Sequence, residues 1–317
     1  MPNAFFSLPD AELSEEDRQS KFSVLAQDDK DEWLRIAAQQ GMVKHLRSLL
    51  SVGANPATVD VSVNSPLVAA VLCQNAECVE ALLSVSDLEH RAYDGATALL
   101  VAARSWNPKI IQMLLLAGAN PRAVDQRGQS VIARAAGMGG IHFQKGADNA
   151  REVFGLLMPL ADLDARDNEG VTPLMRAAIS RSIHAVQCLR AQCDAKLRDP
   201  RGNTALMLGA RAQDALIVES LLPVSDPWAV NEHAESAFGL ACANEDPCCL
   251  DLLFPFAPEG ELGAVQAIFE RGEPEDMPRW VAWTEARALR EAANETTPAG
   301  AAGGKEERGQ PRLPRSL

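Results

Sequence analysis

Cysteine and histidine are the side chains here with most chemistry to offer. Cysteines stand at 73, 78, 188, 193, 242, 248 and 249, and histidines at 45, 90, 142, 184 and 233. Structural zinc is held by closely spaced cysteine pairs, with a second matched pair to complete the tetrahedron. Cys188-x4-Cys193 and Cys242-x5-Cys248-Cys249 have no such second pair, so no metal is expected. A cysteine nucleophile needs a histidine base in hydrogen-bond reach. His184 precedes Cys188 by four residues on one helical stretch, a spacing that arises easily by chance. Gly137-Met138-Gly139-Gly140 lacks the strand-turn-helix setting of a phosphate loop, and neither a dinucleotide nor a P-loop fingerprint is present. No carboxylate pair stands out from a generally acidic chain. The sequence therefore reads as a non-enzyme without a cofactor. What does recur at fixed intervals is a set of polar residues beside glycine turns.

Those turns are set between short helical stretches, most clearly over Asp167 to Arg198. Asp167-Asn168-Glu169-Gly170 is a turn signal, with a glycine free to take positive φ. Thr172-Pro173 opens a helix: the hydroxyl accepts from free amides, and proline at the first helical position loses no hydrogen bond. Leu174, Ala177 and Ala178 follow on one face, and a second helix carries Ile183, Val186 and Leu189. Helices this short are marginal alone, so the pair needs neighbours. The neighbours are copies. Thr204-Ala205-Leu206 leads to Gly209-Ala210, Ser130 leads to Ala135-Ala136, and Thr97-Ala98-Leu99 leads to Ala102-Ala103. Ser65-Pro66-Leu67 leads to Leu82-Leu83, and Asn231-Glu232-His233 to Leu252-Leu253. The turn glycines at 95, 128, 170 and 202 are 33, 42 and 32 residues apart, one period with a single insertion.

The period and the T-P-L…A-A…L-L…G-A-N pattern resemble the ankyrin repeat, a β-turn and two helices in roughly 33 residues. Thr172-Pro173-Leu174, Ala177-Ala178, Gly118-Ala119-Asn120 and Gly53-Ala54-Asn55 match best. The histidine of the T-P-L-H pattern is absent, replaced by Leu100, Met175 and Met207. Val63 stands where a turn glycine belongs, and Trp106 and Arg181 where a glycine usually separates the helices. The expected fold is an all-α ankyrin-repeat solenoid of about six repeats with capping helices. An N-terminal capping pair occupies 31–59 and repeats fall at 60–91, 92–124, 125–166, 167–198, 199–230 and 231–258. The insertion falls between the helices of the third repeat at 139–150, with His142, Phe143 and Lys145 in it.

Outside the array, 1–30 reads as an acidic arm in which Ser14-Glu15-Glu16-Asp17 starts a short helix. Residues 259–293, with Trp280 and Trp283 one helical turn apart, read as C-terminal capping helices. The stretch 294–317 is disordered by composition. With a net charge of −13, the chain is a poor match to nucleic acid or an anionic membrane, both of which take clustered Lys and Arg. Aromatic residues make up 5%, which fits helix pairs packed on alanine and speaks against a small-molecule pocket. No secretory signal or membrane span is legible, and scattered cysteines suit a reducing compartment. The expectation is a cytoplasmic monomer. Alanine and arginine usage points to a GC-rich bacterial source.

What remains is a surface. The resemblance implies binding through turn tips and the exposed side of the first helices, which form a concave face. On these positions stand Tyr93 and Asp94, then Gln126, Arg127 and Gln129, then Asn168, Glu169 and Val171. Next come Arg201 and Asn203, then Glu232, His233 and Glu235. Arg104, Arg134, Arg176 and Arg211 fall on successive first helices in two registers. They read either as a basic ladder selecting an acidic partner strip or as solvated charges paired with tip carboxylates. The expected function is a non-catalytic protein-interaction scaffold. The alternative is a dedicated regulator or inhibitor of one enzyme or toxin, or a host-directed effector.

Overall fold

In a computed structural model, residues 14–61, 63–138, 146–244 and 247–256 are described. The disordered-tail, C-terminal cap and Trp280/Trp283 expectations, and residues 139–145 of the insertion, lie outside these. The chain divides into two compact units, Met1–Gln192 and Cys193–Leu317. Among the described residues every regular element is helical, apart from isolated bridges between Val124 and Ser130 and between Val230 and Ser236.

The first unit begins with α1 (Glu15–Ser23), which Ser14 caps by accepting from the Asp17 amide at 3.1 Å. Helix α2 (Gln27–Gln40) and α3 (Val43–Ser51) form the first pair. Four more pairs follow: α4 (Pro66–Leu72) with α5 (Ala76–Leu82), and α6 (Ala98–Arg104) with α7 (Pro108–Leu116). Then come α8 (Val131–Ala136) with α9 (Gly146–Leu157), and α10 (Pro173–Ile179) with α11 (Ile183–Leu189). First helices α2, α4, α6, α8 and α10 stack in order in one layer; α3, α5, α7, α9 and α11 stack in another, with α1 against α3. The acidic arm is thus helical over Glu15–Ser23, because Phe22 is buried there and meets the His45 ring edge-on at 5.8 Å.

Local chemistry explains the helix starts. Ser65, Ser130 and Thr172 each accept a backbone amide three residues on, and prolines occupy the first turn of α4, α7 and α10. Most of these helices are about two turns long and hold only by packing. Each of these first helices carries a buried pair of alanines. Ala37-Ala38, Ala69-Ala70, Ala102-Ala103, Ala135-Ala136 and Ala177-Ala178 are all buried. The second layer carries the larger side chains, among them Leu46, Leu82, Ile111, Phe154 and Leu189.

Trp106 shows how the helix-separating glycine was replaced. It takes φ 47°, buries its ring edge-on against Phe154 at 6.3 Å, and donates Nε1–H to the Ala135 carbonyl at 2.7 Å. Burial and a satisfied helix-end carbonyl offset the backbone strain. Arg181 in the equivalent place has φ 55°. Residues 146–150, placed in the insertion by sequence, are the first turn of α9. Ala150, Val153, Phe154 and Leu157 form one buried stripe, so burial overrides the loop-like composition of that segment.

The second unit contains α12 (Ala205–Arg211) with α13 (Ala215–Leu221), and α14 (Ala237–Ala243) with α15 (Pro247–Leu253). Thr204, Asp214 and Ser236 cap three of them. Gly209 stands at the alanine position of α12 because a Cβ there would come within 2.8 Å of Ile217 Cγ2.

Candidate functional site

Each repeat opens with a turn whose first residue closes it twice. In the fourth repeat the Asp167 amide donates to the Val171 carbonyl at 3.1 Å and Gly170 N–H to the Asp167 carbonyl at 2.8 Å. Asp167 Oδ1 then accepts from the amides of Glu169 and Val171 at 3.0 and 2.9 Å. Asp125, Asp199 and Asn231 repeat the arrangement. These oxygens belong to the turn and are not offered to a partner.

Neighbouring tips in the first unit are tied together. Gln126 N–H donates to the Asp94 carbonyl at 3.1 Å and its side-chain amide to the Tyr93 carbonyl at 2.9 Å. Asn168 N–H donates to the Arg127 carbonyl at 2.9 Å, and its Nδ2 to the Gln126 carbonyl at 2.9 Å. The approach is close enough that a Cβ at Gly128 would stand 2.4 Å from Asn168 Oδ1. Gln126 and Asn168, expected at the binding surface, are therefore cross-links between tips as well. Val171 and Asn203, grouped with the tips by sequence, are buried.

The two arginine registers separate by role. Arg134 and Arg176 each follow a turn aspartate by nine residues and fold back on it. Arg134 Nε donates to Asp125 Oδ2 at 2.7 Å and its terminal nitrogen to Asp94 Oδ2 at 2.5 Å. Arg176 donates to Asp167 Oδ2 and to Glu169 Oε2, the latter at 3.0 Å. Burial works against the Arg176 charge, but the bonds to Asp167 and Glu169 outweigh it and hold the guanidinium above its usual pKa. Burial likewise pushes the Asp94 carboxyl up, while the Arg134 guanidinium and the Ala96 amide bring it below the usual carboxylate value. Arg104 and Arg211 end their helices in exposed positions. A single ladder of four free cations is thus not what the structure builds.

Around the second and third tips lies a groove of about 510 Å³. Tyr93, Asp94, Arg104, Gln126, Arg127, Gln129, Arg134 and Arg176, eight of the seventeen tip and first-helix residues named from sequence, line it together with Asp125. Tyr93 is 76% exposed. Asn168 and Glu169 sit on the adjoining tip, held by Gln126 and Arg176. Arg201, Arg211, Glu232 and His233 belong to the second unit and are exposed there; the Glu232 amide donates to the Arg201 carbonyl at 3.0 Å.

A second, more apolar hollow, also about 510 Å³, shares Tyr93, Asp94, Arg104 and Arg134 with the first and adds Leu72, Val101 and Met138. Sequence reasoning missed it. The available signal was positional: Leu72 ends α4 where Arg104 ends α6 and Ile179 ends α10, and all three are exposed.

Burial works against thiol chemistry at two of the cysteines. Burial pushes the Cys78 thiol up to about 11 and raises that of Cys188 as well, the reverse of what a thiolate nucleophile needs. Among the described residues no group of His, Cys, Asp and Glu is placed to hold a metal ion. No helix among them is long and apolar enough to cross a membrane.

Known proteins share these turns and paired helices. The family model described as ankyrin repeats (3 copies) matches residues 34–137 and 144–231, and the chain belongs to that family. Its array is accordingly of the protein-interaction kind. The chain is 37% identical over 188 residues to NF-kappa-B inhibitor delta of Mus musculus, covering 58% of this chain and 51% of that protein. It therefore spans about half the length of that relative. Among solved structures, the human ASB11 ankyrin repeat domain aligns at TM-score 0.60 and 24% identity, over 71% of this chain and 97% of that one. The ankyrin repeat domain of Bcl-3 aligns at 0.56 and 22%, over 69% and 96%. These two show the fold. Mouse and human relatives lend no support to the bacterial source suggested by residue usage.

Proposed function

We propose that this protein binds a partner protein through the tip and first-helix groove of its first unit. The observation that carries the reading is convergence: eight of the seventeen tip and first-helix residues named from sequence line one groove. Tyr93, Arg104 and Arg127 are its accessible anchors, since Gln126 and Arg176 are already engaged. Tyrosine and arginine are the side chains most often found to dominate interface energetics. Arg201, Arg211, Glu232 and His233 form a second candidate surface on the other unit. The net charge of −13 favours a monomer and works against nucleic acid. Free thiols at Cys73, Cys78 and Cys188 suit a reducing, cytoplasmic setting.

A second reading, an inhibitor dedicated to one protein, is favoured by the name of the mouse relative, an inhibitor. Its toxin-directed and host-directed forms rest on a bacterial source and are not carried forward. A photo-reactive amino acid placed singly at Tyr93, Arg104 or Arg127 tests the main reading in native lysate, with Leu116 on the second-helix layer as control. Specific adducts should form severalfold more at the three groove positions. Equal adduct yield at Leu116 would remove the groove as the interface.

A further inference from the structure

Resting on the groove reading above, we infer the chemistry of its occupant: an extended segment of a partner chain carrying one apolar residue and, about three positions away, an acidic one. The two hollows share Tyr93, Asp94, Arg104 and Arg134 and so make one continuous surface with two characters.

The polar end is basic within an acidic protein. Four arginines, at 104, 127, 134 and 176, line it against two aspartates, at 94 and 125. Asp125 is committed inward, and Asp94, although its side chain is 52% exposed, is already paired with Arg134. Asp125 is 2% exposed at its side chain and accepts from two backbone amides and Arg134, while Asp94 accepts from Ala96 and Arg134. The groove thus keeps two more arginines than aspartates, and Arg104 and Arg127 are exposed. Arginine presents a planar fork that matches a carboxylate in bidentate fashion. A basic segment would meet only carboxylates that are already paired with Arg134 or Arg176.

An acidic segment alone would bind poorly. Exposed ion pairs are worth only about 0–1 kcal/mol each, and salt screens the more distant attraction beyond about 10 Å. The apolar end supplies the missing contribution. Leu72 is 52% exposed, a leucine at a helix end with half its surface in water, and it lines a hollow with Val101, Met138 and the Tyr93 ring. A buried methylene or ring from a partner recovers roughly 25 cal/mol per Å² of that apolar surface.

Spacing follows from the stack. Leu72 and Arg104 end adjacent first helices, and packed helix axes lie about 8–10 Å apart. An extended chain rises about 3.3 Å per residue, so one residue over Leu72 and one over Arg104 are about three positions apart.

The test is selection of a random twelve-residue peptide library, displayed on phage, against the full chain. Enriched peptides should carry Asp or Glu about three positions from Leu, Ile, Met or Phe. The synthetic winner should lose roughly tenfold in affinity on Arg104→Glu or Arg127→Glu, and more steeply at low salt than at high. Leu72→Asp should weaken it by about the same factor at either salt. All three side chains are exposed, and a helical circular dichroism spectrum with an unchanged melting midpoint checks that each variant is folded. No enrichment, winners without acidic residues, or affinity unchanged on Arg104→Glu would overturn the inference. Uncharged winners that are still lost on Tyr93→Ala would leave the groove reading standing and sink only this one. Winners indifferent to every groove substitution would sink both.

Discussion

The tips of the fourth and first repeats are closed by the same backbone bonds and populated by different residues. In the fourth, Asp167 N–H meets the Val171 carbonyl and Gly170 N–H the Asp167 carbonyl, at 3.1 and 2.8 Å. In the first, Asp60 N–H meets the Asn64 carbonyl and Val63 N–H the Asp60 carbonyl, at 3.1 and 2.9 Å. Gly170 has φ 73° and Val63 has φ 58°. A β-branched residue has thus been forced into the left-handed region, where L side chains clash with their own backbone. Around Asp167 an arginine clamp and a turn glycine add to the frame; the first tip keeps the frame with neither a glycine at this position nor the same clamp geometry. Backbone hydrogen bonding decides the shape of a tip, and side chains then modulate its cost and what it shows to solvent.

The largest effect that would test this hierarchy is removal of Asp167. Asp167→Ala leaves the amides of Glu169 and Val171 without their acceptor and strips Arg176 of its buried partner. Each loss belongs to the class in which a buried group is left unsatisfied, so a combined destabilisation of roughly 3 kcal/mol is expected. Urea unfolding followed by circular dichroism gives the value. A change below about 1 kcal/mol would mean the backbone pair alone holds the tip. Next in size is Gly128→Ala. It places a non-glycine residue at φ 72° and its Cβ 2.4 Å from Asn168 Oδ1, displacing the side-chain bond to the Gln126 carbonyl. About 2 kcal/mol is expected. Because Gly128 lies between two tips, hydrogen exchange should quicken at the Asn168 amide as well as locally.

How much of this was legible beforehand can be judged from single residues. Thr172 and Pro173 announce α10, and Ser14 announces α1, because caps are local chemistry. The glycines at 95, 128, 170 and 202 all take positive φ, as their spacing required. The start of α9 at Gly146 was not legible, since glycine-rich composition argued for a loop and the buried Ala150–Phe154 stripe argued later in the chain. The division of the arginines was nearly legible. Asp125 to Arg134 and Asp167 to Arg176 are both nine apart, whereas the second repeat has Ala92 at the aspartate position and so gives an arginine nothing to fold back on. For Leu72 the one clue was its place at the end of α4, matching Arg104 and Ile179; a leucine's own chemistry argues for the core and hides it.

The smallest effect sharpens the comparison through its sign. Val63→Gly should stabilise the protein, against the general rule that most substitutions destabilise. Holding an L side chain in the left-handed region costs about 1–2 kcal/mol, while the extra freedom of glycine in the unfolded chain returns about 0.5–1 kcal/mol of that. The loss of packing is small, because Val63 is exposed, and the His90 ring nitrogen lies 2.8 Å from the Val63 carbonyl, a contact that survives the substitution. A net gain of about 0.5–1 kcal/mol is the expected result. Ala234 holds the same place in the sixth tip with φ 59°, and its side chain is not branched, so Ala234→Gly should gain less. Urea midpoints for the two variants beside the parent decide the matter. If Val63→Gly is neutral or destabilising while Ala234→Gly gains, side-chain contacts at the first tip outweigh backbone strain, and the frame does not dominate there as it does at Asp167.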